Sequence, residues 1–196
     1  MIGQALLECD AVAINTTELF TYTSGKQGPV YVDIRRLISY PVQREKIIQL
    51  AAEHIKTLDI DVIAGGETAG IPFAAFLAQV LGKPMIYVRK KPKGFGKMNQ
   101  IEGVLQAGQK VLLVEDLCNH GTSSTAFVDV LRQAGAICND AFVVFNYGRP
   151  EVAEMLEEKE IMLHSLCSWN MMLKTVEMNP SFQDVNMDVV KSYLDF

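Results

Sequence analysis

Glu115 and Asp116 stand side by side, and the chain continues Leu117-Cys118-Asn119-His120-Gly121-Thr122-Ser123-Ser124. Carboxylates accept hydrogen bonds, so an adjacent acid pair suits the hydroxyls of a sugar. Hydroxyl side chains behind a glycine, where a helical pattern begins, suit an anion: backbone N–H groups converge there and the helix dipole favours negative charge. An anion socket beside two hydroxyl acceptors has the chemistry of a ribose 5-phosphate site. The plainer alternative is that the acids close a strand and a Ser or Thr hydroxyl merely caps the helix.

Two further stretches carry related chemistry. Ala64-Gly65-Gly66-Glu67-Thr68-Ala69-Gly70 has three glycines, which let a backbone approach an anion ahead of a helix; a tight turn needing positive φ is the alternative. It is not a P-loop, because Ile71 stands where that motif needs lysine. Arg89-Lys90-Lys91-Pro92-Lys93-Gly94-Phe95-Gly96-Lys97 packs five cations into nine residues of an otherwise acidic chain. Gly94-Phe95-Gly96 does not continue as a dinucleotide motif, since Asn99 replaces the third glycine. A solvated surface run is the ordinary reading of such charge, but a glycine-containing cationic loop is also able to close over a charged substrate. A sugar-phosphate socket, a second anion loop and a movable cationic loop together fit phosphoribosyl pyrophosphate (PRPP).

These residues need a scaffold that gathers strand ends. Val111-Leu112-Leu113-Val114 reads as a fully buried parallel strand that leaves the sheet at Glu115 and Asp116, with a helix over 123–134 after it. Other strands are expected at 62–64, 85–88, 141–146 and 161–163, and helices at 41–57, 70–81 and 151–159. Residues 89–103 read as an irregular loop. The opening is expected as a helix over 2–14, then strands over 20–23 and 30–33 flanking the turn 24–29. Two tail helices, near 169–177 and 184–195, close the chain. Alternating strands and helices predict an α/β domain, a mainly parallel sheet with helices on both faces. A small N-terminal hood lies outside the alternation, and open sheets of this kind bind ligands beyond their strand C-termini.

The 196 residues fit one domain, with a hood about 1–40 joined by a C-terminal contribution and a core about 41–165. A formal net charge of −5 argues against general nucleic-acid binding. The opening residues lack a basic leader, and no apolar run reaches membrane-span length, so a cytoplasmic protein with no membrane partner is expected. Cys9, Cys118, Cys138 and Cys167 form no CxxC pair and read as reduced, mostly buried thiols. His54 and His164 read as structural, and Trp169 as core or subunit interface.

Taken in order, four segments resemble the orotate phosphoribosyltransferases of pyrimidine synthesis, over essentially the whole chain. Phe20-Thr21, Ser24-Gly25 and Gly28-Pro29-Val30-Tyr31-Val32-Asp33 are similar to the family's orotate-binding segment. Residues 64–72 resemble its pyrophosphate loop, residues 89–94 its catalytic loop and residues 114–123 its PRPP motif. The resemblance implies a Rossmann-like phosphoribosyltransferase fold. It also implies transfer of phosphoribose from PRPP to N1 of orotate, giving orotidine 5′-monophosphate and pyrophosphate with Mg²⁺ carried on PRPP oxygens. The implied assembly is a homodimer whose catalytic loops are shared between subunits.

Carried over by position, Lys93 and Asp116 are catalytic. Glu115 and Asp116 hold the ribose hydroxyls, and Asn119, His120, Gly121, Thr122 and Ser123 the 5-phosphate. Arg89, Lys90 and Lys93 grip the pyrophosphate beside Gly66, Glu67, Thr68 and Ala69. Tyr31, Val32, Asn119 and Arg149 serve orotate. The chain departs from the family pattern at Thr23, Ala69, Phe95, Asn119, His120 and Tyr147. Those departures leave two alternatives, a non-catalytic PRPP-binding regulator and a phosphoribosyltransferase for a different base.

Overall fold

A computed structural model describes residues 2–22, 25–92 and 100–194. In chain order, α1 (Ile2–Glu8), β1 (Val12–Ile14), β2 (Phe20–Thr21), β3 (Gln27–Gly28), β4 (Val30–Val32) and α2 (Pro41–Ile55) come first. Then follow β5 (Val62–Gly66), α3 (Gly70–Leu81), β6 (Met85–Val88), β7 (Ile101–Glu102), β8 (Lys110–Cys118) and α4 (Thr122–Gln133). The last are β9 (Ile137–Asn146), α5 (Pro150–Glu158), β10 (Met162–Ser168), α6 (Trp169–Glu177) and α7 (Met187–Leu194). These elements form two compact units, Glu45–Ser168 and Met1–Arg44 with Trp169–Phe196.

The Glu45–Ser168 unit is built on a six-stranded sheet of order β10-β9-β8-β5-β6-β7, parallel except for β7. Its strands are apolar at consecutive positions because both faces are covered. Val111, Leu113, Ala141 and Val143 pack in one cluster with Phe127, Val128 and Leu131 of α4 and Val152 and Leu156 of α5. The alternate residues Leu112, Val114, Phe142 and Val144 are equally buried. From β5 the chain builds outward through β6 to β7, then returns to place β8 on the other side of β5 and builds through β9 to β10. The strand order therefore reverses between β5 and β8, the position where open α/β sheets leave a crevice at their carboxyl ends.

Several expectations are corrected. Strand β8 does not end at Val114: Glu115 pairs with Val143 and Cys118 with Asn146, so both acids lie inside the sheet. A charged pair ends a buried run in sequence terms, but β8 is flanked by β5 and β9, and ladder hydrogen bonds with β9 carry it on. Strand β9 begins at Ile137 rather than 141, β5 runs on through Gly66, and β10 extends to Ser168. The 89–103 segment includes a strand, β7, paired antiparallel with Tyr87 and Val88 of β6.

In the second unit the expected helix over 2–14 stops at Glu8. Asp10 turns the chain with φ of 50°, while the amides of Asp10 and Ala11 donate to the carbonyls of Leu7 and Leu6. The freed Val12–Ile14 segment pairs antiparallel with Val30–Val32, where its branched side chains are buried. The expected strands over 20–23 and 30–33 are not each other's partners: Phe20 and Thr21 pair with Gly28 and Gln27. A single-turn helix at Pro180–Phe182 precedes α7, which is shorter than the helix expected over 184–195. Trp169 is fully buried, and all four cysteines are free and buried. No helix among the described residues is long and apolar enough to cross a membrane.

Candidate active site

Two loops flank the crevice between β5 and β8. Residues 66–70 join β5 to α3, and residues 119–121 join β8 to α4. Gly65 lies level with Val114 in the β5–β8 ladder, so Gly66 comes beside Glu115. A Cβ on Gly66 would sit 2.1 Å from Glu115 Oε1 and 2.7 Å from the Phe127 ring. A Cβ on Gly70 would meet the Val114 carbonyl oxygen at 2.2 Å. Glycine is thus demanded here by close approach to the neighbouring strand, and the backbone amides that follow open α3. The Glu67–Thr68 peptide is cis. Glu67 is fixed by the backbone amide of Lys90, which donates to its Oε2 at 2.7 Å and so ties this loop to the head of the cationic segment.

The other loop is built differently. Gly121 has φ of 69° and is the N-cap of α4, with no side-chain cap hydrogen bond. Thr122 and Ser123 are exposed at the helix start, whereas Ser124 and Thr125 are buried and Thr125 Oγ1 donates to the Thr122 carbonyl. The capping alternative is therefore not what these hydroxyls do: the exposed pair faces outward beside the first amides of a twelve-residue helix. His120 is exposed. Asn119 accepts a 2.7 Å hydrogen bond from Arg149 Nε, and the Arg149 guanidinium lies 5.9 Å from the centre of the Tyr147 ring.

The two acids separate. Glu115 is 7% exposed, and its Oε1 has no hydrogen-bond partner among the described residues; Asp116 is half-buried. Burial, reinforced by the Asp116 charge and opposed by Lys90, pushes the Glu115 carboxyl up to about 8. Burial also raises the Cys118 thiol.

The structure brings Gly66, Glu67, Thr68, Ala69, Arg89, Lys90, Glu115, Asp116, Asn119, His120, Gly121, Thr122, Ser123 and Arg149 to the carboxyl ends of adjacent parallel strands. Arg89 is joined to Glu102 of β7 at 3.7 Å, and Lys90 is exposed. Tyr31 and Val32 belong to the other unit, where Tyr31 is exposed and its ring packs 5.8 Å from that of Phe20. Lys93, with Gly94, Phe95, Gly96 and Lys97, lies outside the described residues. Sequence reasoning missed Tyr147 as a platform for Arg149, and Phe127 beneath Gly66. The helical spacing of Phe127 marked it only as core. A cavity of about 670 Å³ in this unit, lined by Asp140, Val152, Leu156 and Ile161 among others, shares Arg149 with the site and Val152 with the floor of the 119–121 loop.

A crevice at the strand reversal, flanked by a glycine-rich loop and a helix N-terminus, with an acid pair inside β8, is the arrangement of a phosphoribosyl-transferring class of α/β protein. The phosphoribosyl transferase domain family matches residues 41–179. An orotate phosphoribosyltransferase of Jannaschia sp. (strain CCS1) is 45% identical over 99% of this chain and 87% of its own length. That of Agrobacterium fabrum is 41% identical over 100% and 86% respectively. The crystal structure of orotate phosphoribosyltransferase from Aeropyrum pernix superposes with a TM-score of 0.79 at 30% identity, covering 91% of this chain and 99% of that one. The chain belongs to the orotate phosphoribosyltransferase family. It is an enzyme, a pentosyltransferase of pyrimidine biosynthesis.

Proposed function

We infer that this chain moves the phosphoribosyl group of PRPP onto N1 of orotate, releasing pyrophosphate and forming orotidine 5′-monophosphate. The observation that carries the reading is the pairing of the 66–70 loop with the 119–123 loop across the β5–β8 strand reversal. In this reading the α4 amides, Thr122 and Ser123 hold the 5-phosphate, Asp116 the ribose hydroxyls, and residues 66–69 with Arg89 and Lys90 the pyrophosphate. Lys93 is the principal loop catalyst and Tyr31 and Val32 line the orotate pocket, assignments that rest on the resemblance. Asn119 and Arg149 supply donors for the orotate carboxylate, which needs them once it leaves water.

Breaking the C1–O bond leaves positive character on the ribose and sends the electron pair out with pyrophosphate. Cations and oriented amides stabilise that leaving charge, and loop closure brings N1 close to C1. When bound, Mg²⁺ would supply further charge neutralisation on the pyrophosphate. Mg²⁺ commonly keeps waters and phosphate oxygens as ligands, so in this reading the PRPP oxygens would carry it. The working form is a homodimer sharing its catalytic loops, and its compartment the cytoplasm, in keeping with four unpaired buried thiols.

The test is a panel of bases. With PRPP and Mg²⁺, orotate is expected to release pyrophosphate, while adenine, guanine, hypoxanthine and uracil are not. Lys93→Ala is expected to lower turnover at unchanged melting temperature. Binding of PRPP with no base accepted would make the chain a regulator, and a preference for another base would reassign the acceptor.

A further inference from the structure

The cavity of about 670 Å³ beside α5 takes no part in the transfer, Arg149 apart. Its size is that of a small-molecule site. It runs between α5 and the β9–β10 margin of the sheet. Helix α5 starts where β9 ends and stops where β10 begins, so it lies back along the strands and gives the cavity two unlike ends. At the carboxyl end of β9 stand Asn146 and Arg149. At the amino end Asp140 meets Glu157 and Glu160. Val152, Leu156 and Leu163 form an apolar wall between them.

The acid end is held from behind. Arg132 Nε donates to the Cys138 carbonyl at 3.0 Å and Nη1 to the Lys159 carbonyl at 2.8 Å, while Nη2 reaches the Glu160 carbonyl and Asn139 Oδ1, each at 3.1 Å. Asp140 Oδ1 lies 2.7 Å from His164 Nε2. One guanidinium thus ties β9 to the α5–β10 turn, and a site built in advance costs a ligand little ordering. Charge decides what fits. Three carboxylates line the cavity against one cation among its described lining residues, Arg149, which already bonds Asn119 and lies 3.8 Å from Glu151. The neighbouring Lys159 is paired with Asp129, and Glu157 and Glu160 have no ion-pair partner among the described residues.

We propose that this cavity is a second ligand site, for a small organic cation with an apolar body against Val152, Leu156 and Leu163 and an ammonium group at Glu157 and Glu160. Its occupancy is felt at the 119–123 loop, because α5 serves both places. Val152 Cγ1 lies 3.0 Å and Met155 Cε 2.5 Å from where a Gly121 Cβ would be, so the cavity wall is also the floor of that loop. The coupling, though not the site, rests on the reading that this loop holds PRPP.

Calorimetry on the full chain with tryptamine, 3-ethylindole and indole-3-propionate tests the site, since the three share a body and differ in the charge they carry. Tryptamine should bind with a Kd of about 1 mM or tighter. The neutral compound should bind more weakly, and the carboxylate weaker than tryptamine by about tenfold or more. No binding, or equal binding of all three, overturns the proposal. Glu157→Gln combined with Glu160→Gln should weaken tryptamine by about threefold to tenfold and leave 3-ethylindole unchanged. Ala153→Trp, which places an indole in the cavity from the exposed side of α5, should weaken both. Tryptamine binding that survives both changes at the wild-type melting temperature lies elsewhere and overturns the site.

At saturation tryptamine should shift the KM for PRPP by about fivefold or more and then level off, as coupling between separate sites requires. An unchanged KM overturns the coupling through α5. A KM that rises without limit marks competition in the crevice and overturns the site. If the wild type releases no pyrophosphate from PRPP with orotate, the functional reading fails, and the calorimetry still decides whether the cavity binds a cation.

Discussion

In the proposed function the loops at 66–70 and 119–123 address anions at the same sheet edge by opposite means. The first uses glycines pressed against a neighbouring strand and its acid, with only Glu67 and Thr68 as polar side chains. The second uses one left-handed glycine and a pair of exposed hydroxyls over an apolar floor of Val152 and Met155. Backbone recognition leaves no room for change because its neighbours are main chain and packed interior. Side-chain recognition tolerates change, since each hydroxyl is a separate, removable contact. The loop following β5 should therefore be brittle and the loop following β8 forgiving.

The largest effect is expected at Gly70. A methyl group there would lie 2.2 Å from the Val114 carbonyl, which belongs to the central β5–β8 ladder and cannot move alone. Gly70→Ala should cost about 3 kcal/mol or more, despite alanine's better helix propensity. Chemical unfolding measures it, and a cost under about 1 kcal/mol would end the argument for brittleness. Gly121→Ala should cost less, about 1–2 kcal/mol, chiefly from forcing φ of 69° on an L-residue. The nearest obstruction there is the tip of Met155, 2.5 Å from the added Cβ and able to swing aside. If Gly121→Ala proves the more damaging of the two, the contrast between the loops is reversed.

Those two glycines also mark what was readable in the chain. Three glycines before a helix read as an anion loop, which belongs to the proposed function, and a helix over 70–81 was legible from its continuous apolar face. What the glycines face was not legible, because Val114 and Glu115 come about 45 residues later and only the strand order makes them neighbours. The acid pair was visible as chemistry and misread as a strand exit. Alternation along β8 separates its two members, and that requires knowing that the strand continues past Val114. At the N-terminus, local periodicity favoured one helix over 2–14, while the partner that turns Val12–Ile14 into a strand lies at Val30–Val32. Short strands paired through later residues leave little signal in any local window. Helix α6 depends on its own apolar face, and its bounds at Trp169–Glu177 were legible.

A middle-sized effect should fall on the acceptor rather than on PRPP. Asn119 accepts from Arg149 Nε through Oδ1, which leaves its amide nitrogen as a donor. Asn119→Asp keeps the acceptor, removes that donor and adds a negative charge. The KM for orotate should rise by about tenfold, the equivalent of one charge-assisted hydrogen bond, with a smaller change for PRPP. A larger rise for PRPP than for orotate would move Asn119 into the phosphate site.

The smallest effect is expected from the exposed hydroxyls. Ser123→Ala removes one donor from a socket that still has Thr122 and the first amides of α4, and solvent reaches the vacated position. Its stability cost should be negligible, because Ser123 is exposed and makes no capping bond. The KM for PRPP should rise by about threefold to tenfold, the range for one hydrogen bond to a charged group in a wet site. Thr122→Val should behave alike, and the double variant should lose roughly the product of the two. A double variant no worse than either single change would mean that the hydroxyls share one water-mediated contact, leaving the α4 amides as the principal phosphate ligands. In that case both loops would recognise anions through backbone, and the difference between them would lie only in how tightly each is packed.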